Sequence, residues 1–150
     1  MRAVYGSFVR THRTVDRLGD LLDEPLVAVL ATFRADASVL LSPVWHEWRD
    51  GGFNVWTEHQ NVKARHLRRD PRATIVVAES DLPYRGIEVR GVARFIEEGV
   101  TDTALGIAAR YIGAQAAADY VAAARGTDVI LRIEPGDIRI WDFVDDYGNA

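Results

Sequence analysis

The sequence predicts a mainly β fold with helices, in which antiparallel strands close fully or partly into a small barrel. Three observations carry this. Apolar runs of strand length recur between turn signals, mostly as antiparallel neighbours. Gly91 falls in mid-strand, as at a bulge or the tight bend of a barrel. Some runs are apolar enough for a strand covered on both faces. With 150 residues and 48% hydrophobic content, the chain is expected to be one domain spanning 1–150, too small for two ordinary cores.

The elements follow in order. Val15, Leu18, Leu21 and Leu22 recur at helical spacing against Asp16, Arg17, Asp20 and Asp23, and Pro25 ends this short amphipathic helix. Residues 26–33 form an apolar strand, 34–37 a hairpin turn without the favoured Asp-Gly pair, and 38–48 the returning strand. Pro43 cannot donate to a ladder and puts this strand at an edge or a bulge, where backbone groups open toward a ligand. Arg49-Asp50-Gly51-Gly52 is a strong turn before a half-buried strand at 53–57. Asn61, a good N-cap, opens a short helix, and Pro71 introduces a β-branched strand over 72–79. After a loop at 80–84, residues 85–97 alternate, with Ile87, Val89, Gly91, Ala93 and Phe95 on one side. The alanine-rich stretch 100–125 reads as one or two helices broken near Gly113. Strands at 128–133 and 138–144 then flank a turn at 134–137, and the tail from 145 frays.

A net charge of −4 and a pI near 5.5 argue against a nucleic-acid partner. Absence of cysteine removes disulfides, thiolate metal sites and a cysteine nucleophile, and fits a cytoplasmic location. Residues 1–14 lack an uninterrupted signal-type core, and no apolar run approaches membrane-span length, so a soluble protein without a membrane partner is expected. His12, His46, His59 and His66 show no metal-binding spacing, so no metal is expected; His59 and His66 read as solvated or capping groups and His46 as an edge-strand side chain. No Ser sits in a nucleophile elbow, no Gly-rich dinucleotide fingerprint follows a strand, and Glu97-Glu98 and Asp145-Asp146 read as solvated charge.

One constellation has a mechanism. Lys63, the sole lysine, and Arg65 lie in the first turns of the helix that Asn61 opens, where the positive end of the dipole disfavours cations. An anion at the free N–H groups would relieve this. The alternative is a solvated basic face, the better reading for Arg68 and Arg69. Trp45, Trp48 and Trp56 flank the region; packing accounts for most of them, while Trp45 or Trp56 could wall a flat ring. A planar, phosphate-bearing cofactor would use both features.

Ser42-Pro43-Val44-Trp45, then Trp56-Thr57, then Lys63-Ala64-Arg65-His66-Leu67-Arg68-Arg69-Asp70-Pro71-Arg72-Ala73, then Tyr84-Arg85-Gly86-Ile87-Glu88-Val89-Arg90-Gly91 carry a family likeness. Over 15–143 the chain resembles the pyridoxamine 5′-phosphate oxidase-like superfamily and, within it, the actinobacterial flavin/deazaflavin oxidoreductases of type B, which use coenzyme F420. The resemblance implies an FMN-binding split β-barrel, antiparallel and homodimeric, with cofactor at the dimer interface. It implies that the strand around Ser42, Val44 and Trp45 lies beside the ring, that Thr57 lies near the ring or ribityl chain, and that Lys63 and Arg65 bind the phosphate. Many type B relatives carry a further basic residue at the position of Asn61; Asn61 can cap or hydrogen-bond a phosphate oxygen, which leaves F420 and FMN both open. The implied activity is hydride transfer to an unsaturated small molecule, with no side chain singled out as catalytic and the proton coming from solvent, His46 or Tyr84. An FMN oxidoreductase and a non-catalytic flavin or deazaflavin carrier are the alternatives. Aromatic residues on the Trp45 and Trp141 strands are candidate dimer surface, and the helical 100–125 insertion is a candidate wall of the substrate pocket.

Overall fold

A computed structural model describes residues 14–124 and 126–143. His12 and the carboxylates of the 145–150 tail lie outside the described residues. Among the described residues, seven strands form one sheet: β1 (Ala28–Phe33), β2 (Val39–Val44), β3 (Glu47–Arg49), β4 (Gly52–Glu58), β5 (Arg72–Ala78), β6 (Gly86–Ile96) and β7 (Asp128–Trp141). Three helices, α1 (Val62–Arg69), α2 (Val100–Ile112) and α3 (Ala114–Ala122), complete it. Every ladder is antiparallel, in the order β2-β1-β5-β6-β7-β4-β3.

That order forces the sheet to curl. Its two edge strands, β2 and β3, are consecutive in the chain and joined only by Trp45 and His46. Two linking residues reach about 10 Å, so the edges of a seven-stranded sheet meet at this corner. No ladder pairs β2 with β3, and the barrel is split along that seam. The expected strand over 38–48 is therefore two strands on opposite edges, broken just after Pro43, which sits on the unpaired edge opposite Val29.

Inside the curl lies the main core, built on Leu30, Phe53, Val55, Ile75, Ile87, Val89, Leu131 and Ile133, with Leu18, Leu21 and Leu67 capping it. Each such side chain contributes about 1.5–3 kcal/mol when taken from water. A smaller cluster lies on the outer face, where Ala104 and Ala108 of α2 meet Ala117 and Val121 of α3, with Trp45 and Trp56 packed against them.

Two further details differ from the sequence reading. The amphipathic start is a single 3-10 turn, Val15–Leu18, followed by turns, because Gly19 at φ 58 cannot continue a right-handed helix. Residues 134–137 are not a turn between strands; β7 runs through them, and the ladder with β6 shifts register between Arg90 and Gly91. This is the bulge that Gly91 foreshadowed: a Cβ there would collide with the Glu134 carbonyl oxygen. Pro135 is tolerated because the β4 ladder on the other side of β7 has ended at Ile133. Gly113 does divide the helical segment into α2 and α3. Among the described residues, no helix is long and apolar enough to cross a membrane.

Candidate functional site

The seam between β2 and β3 opens into a cleft of about 370 Å³ lined by Val27, Pro43, Val44, Trp45, Trp56, Lys63 and Tyr120. Beside it, past Trp56 and Tyr120, a second cleft of about 410 Å³ runs between the end of β4 and α3, lined also by Thr57, Glu58, Asn61 and Asp128. Each wall has a local cause. The chain leaves the ladder after Val44, and Trp45 stacks on Tyr111 of α2 with centroids 4.9 Å apart and planes 6° apart. Trp56 alternates onto the outer face of β4. Tyr120 meets both indoles, tilted on Trp45 at 5.8 Å and edge-on to Trp56 at 5.6 Å.

Helix α2 is fastened to the seam by polar bonds. Arg110 donates to the carbonyls of His46, Leu22 and Glu24 at 2.7, 2.9 and 2.8 Å. The Tyr111 hydroxyl donates to the Leu26 carbonyl at 2.8 Å and accepts the His46 N–H at 3.1 Å. His46 is fully buried, not an edge-strand side chain. Its Nε2–H donates to the Leu26 carbonyl at 3.1 Å, while Nδ1 is buried with no partner. Burial, then the Arg110 charge, lowers its pKa to about 4, so the ring is neutral near pH 7.

At the floor, Asn61 caps α1: its Oδ1 accepts from the Lys63 N–H at 3.2 Å and from the Lys63 ammonium at 2.9 Å. Burial lowers the Lys63 pKa, a shift that the Glu58 carboxylate opposes. Two other cations of α1 are engaged elsewhere. Arg68 donates to the His59 carbonyl at 2.7 Å and Arg69 to that of Phe33 at 2.6 Å. Those two arginines clamp α1 to its neighbours rather than merely keeping it solvated. Arg65 is exposed, and its side chain makes no hydrogen bond or ion pair among the described residues. His66, expected to be solvated or capping, is buried on Thr32 Oγ1 at 3.0 Å. Burial and then Arg69, Arg34 and Arg65 lower its pKa, which registers the positive potential around this helix. His59 pairs with Arg68 at 2.7 Å and Glu97 at 3.3 Å.

Of the residues singled out in the sequence, Val44, Trp45 and Lys63 share the seam cleft, and Thr57 and Asn61 line the adjoining one. Ser42 lies on β2 opposite Leu30, and neither it nor Arg65 lines these two clefts. Tyr84 lies in the loop before β6, also outside both linings. Sequence reasoning missed Tyr120 and Tyr111. A signal existed: Tyr120 adjoins the Ala117/Val121 stripe of an alanine-rich helix, and no other residue of α3 is aromatic. Among the described residues no group of three or more His, Asp or Glu could hold a metal ion.

Known structures share this architecture. A conserved hypothetical protein of Mycobacterium tuberculosis superposes with a TM-score of 0.77 at 26% identity, over 90% of this chain and 88% of the other. An F420 reductase gives a TM-score of 0.66 at 24% identity, over 79% and 93%. The haem storage protein HutZ of Vibrio cholerae gives 0.67 at 17% identity, over 87% and 95%; the last two likenesses speak to fold alone. No curated protein matches the chain significantly in sequence. Residues 14–142 match the pyridoxamine 5′-phosphate oxidase family, and the chain belongs to it.

Proposed function

We propose that this protein is a reductase that uses coenzyme F420 to pass a hydride to an unsaturated small molecule, as a soluble, cytoplasmic homodimer. The carrying observation is the half-buried Lys63 ammonium, which has no carboxylate partner and stands in an aromatic-walled cleft at the capped start of α1. A phosphate there would meet a desolvated cation and helix N–H groups together. Burial already lowers the Lys63 pKa, and a bound anion would restore the charged form.

The residues fit such a group. Lys63 would hold the phosphate, with Arg65 free to swing toward it and Asn61 offering its amide. Val44, Trp45 and Trp56 provide an apolar wall for a flat ring, the backbone past Pro43 leaves the ladder beside it, and Thr57 borders the next lobe. Bound deazaflavin supplies the hydride; the protein supplies orientation and exclusion of water. His46 is a poor proton donor near neutral pH, since its ring is neutral and its one N–H is committed to Leu26, and Tyr84 lies outside both clefts, so solvent would provide the proton. Ser42 would act only through its strand's backbone. The neutral Asn61, where many type B relatives carry a basic residue, keeps FMN as the second reading, with or without turnover.

Parallel titration of the purified protein with FMN and with the deazaflavin, read by ring fluorescence, tests the proposal. The deazaflavin is expected to bind more tightly. Loss of a charged hydrogen bond costs about 1.5–3 kcal/mol, so Lys63→Ala should weaken binding by roughly tenfold or more. Affinity for both cofactors left unchanged by Lys63→Ala would sink the phosphate assignment.

A further inference from the structure

The second cleft differs in sign from the first. Glu58 and Asp128 are direct cross-strand partners at the end of the β4–β7 ladder, so their side chains leave the same face of the sheet. Like charges opposite one another repel. Neither carboxylate makes an ion pair or a side-chain hydrogen bond among the described residues, although Lys63 in the adjoining lobe senses Glu58. The same face carries Trp56, whose indole forms one wall, and Tyr120, 55% exposed, forms the facing wall. The third wall is Ala123 and Ala124 at the C-terminal end of α3, the negative end of that helix dipole. Two electron-rich rings, two carboxylates without an ion pair and a helix C-terminus thus surround a volume of about 410 Å³, the size of a small organic ligand.

We infer that this lobe is a binding site for the substrate, and that the substrate class is a small organic cation: an apolar or aromatic body seated between Trp56 and Tyr120, with its amine or other cationic group against Glu58 and Asp128. The substrate role rests on the reading of the Lys63 lobe as the cofactor site; the cation preference does not. Trp56 and Tyr120 line both lobes, so a ligand in one lies next to a ligand in the other. The opposite charges sort the two: an anionic cofactor is repelled from the carboxylate lobe, and a cationic substrate from Lys63.

The test is calorimetric titration of the full chain with 1-naphthylmethylammonium, its neutral isostere 1-naphthylmethanol and the anion 1-naphthoate. The cation is expected to bind about tenfold more tightly than the alcohol, and the anion, which suits the Lys63 lobe, is not expected to displace it. In a Glu58→Gln/Asp128→Asn double variant the two are expected to bind within twofold of each other. That variant relieves a repulsion, so its melting temperature should be equal or higher, which separates lost binding from lost folding. A charge-matched Glu98→Gln/Asp81→Asn variant, altered on the exposed surface, should keep the preference. Equal binding of cation and alcohol by the native chain, or a preference that survives in the Glu58/Asp128 variant, overturns the proposal. Displacement of the probe by Ca²⁺ at similar affinity also overturns it, since that would be a metal site. Lys63→Ala should leave the cation preference intact while weakening cofactor binding; if neither cofactor binds yet the preference holds, the cofactor reading alone falls.

Discussion

His46 is the residue whose environment most constrains the solution behaviour of the protein. It is fully buried at the two-residue corner between β2 and β3, with its one N–H on Leu26 and Nδ1 unpartnered. Protonation would place a charge beside Arg110 with nothing to accept the new N–H. The folded pKa is about 4 against 6.5 for the free side chain, so the unfolded chain binds the proton more readily between these values. Stability from this group is complete above pH 6.5 and is lost as pH falls toward 4, by up to about 3 kcal/mol at 1.36 kcal/mol per pH unit. Urea unfolding between pH 7 and pH 4 should show that decline, and His46→Phe should flatten it. The Leu26 carbonyl keeps the Tyr111 hydroxyl in that variant, so no acceptor is orphaned. An equal slope in the variant would assign the acid sensitivity to other groups. Spacing alone made His46 an edge-strand side chain, because nothing local says that the strand ends at Val44 and that a helix from 64 residues downstream covers the corner. Lys63 and Asn61 were legible for the opposite reason, since capping and dipole effects act within one turn.

Among elements, α2 carries the most consequence for the site. Its residues Arg110 and Tyr111 bond to the segment before β1 and to the corner after β2, and Tyr111 stacks under Trp45. Arg110→Ala removes three donors to carbonyls, at a cost of about 2–4 kcal/mol if each charged bond is partly replaced by water. The expected outcome is a lower melting temperature together with a raised His46 pKa, read from imidazole NMR shifts, because the opposing guanidinium is gone. A drop in stability with the His46 titration unmoved would show that the helix stayed docked without its clamp. This element shows where sequence reading stops. Composition revealed helices over 100–125 broken at Gly113, and Gly91 marked the bulge in β6. The face α2 and α3 present, and hence Tyr120 as the wall between two lobes, depends on non-local docking that an alanine-rich pattern does not encode. Likewise the Pro135-Gly136 pair reads as a turn locally and is overruled by the length of the β6–β7 ladder.

At the scale of the whole molecule, hairpins such as β1–β2 and β3–β4 were readable from adjacent strands, whereas β1–β5 and β4–β7, the pairings that curl the sheet, join segments far apart in sequence. The curl leaves β2 with one unpaired edge, and Val39 and Leu41 on its outward face are 46% and 64% exposed. The aromatic residues expected to form contact surface are otherwise engaged: Trp45 stacks on Tyr111, and Trp141 packs over Gly86 beside Arg139. The proposed homodimer therefore has an aliphatic candidate contact instead. A flat apolar edge strand left in water invites pairing with another chain, and natural sheets blunt such edges with charge or cover them. Here the run Val39-Leu40-Leu41, exposed at Val39 and Leu41, carries no charge, and Pro43 follows it only at the end of the strand. Leu41→Lys would place an ammonium on that edge without disturbing the core, since the native side chain points outward. Sedimentation velocity at micromolar concentration should show a dimer for the native chain and a monomer for the variant, with an unchanged far-ultraviolet circular dichroism spectrum. A native monomer would remove the dimer from the proposal, and a dimer that survives Leu41→Lys would move the interface elsewhere. Where the variant is a monomer, cofactor titration on it separates two arrangements: affinity lost with the dimer requires a site completed by the second copy, and affinity retained means that the Lys63 lobe of one chain suffices.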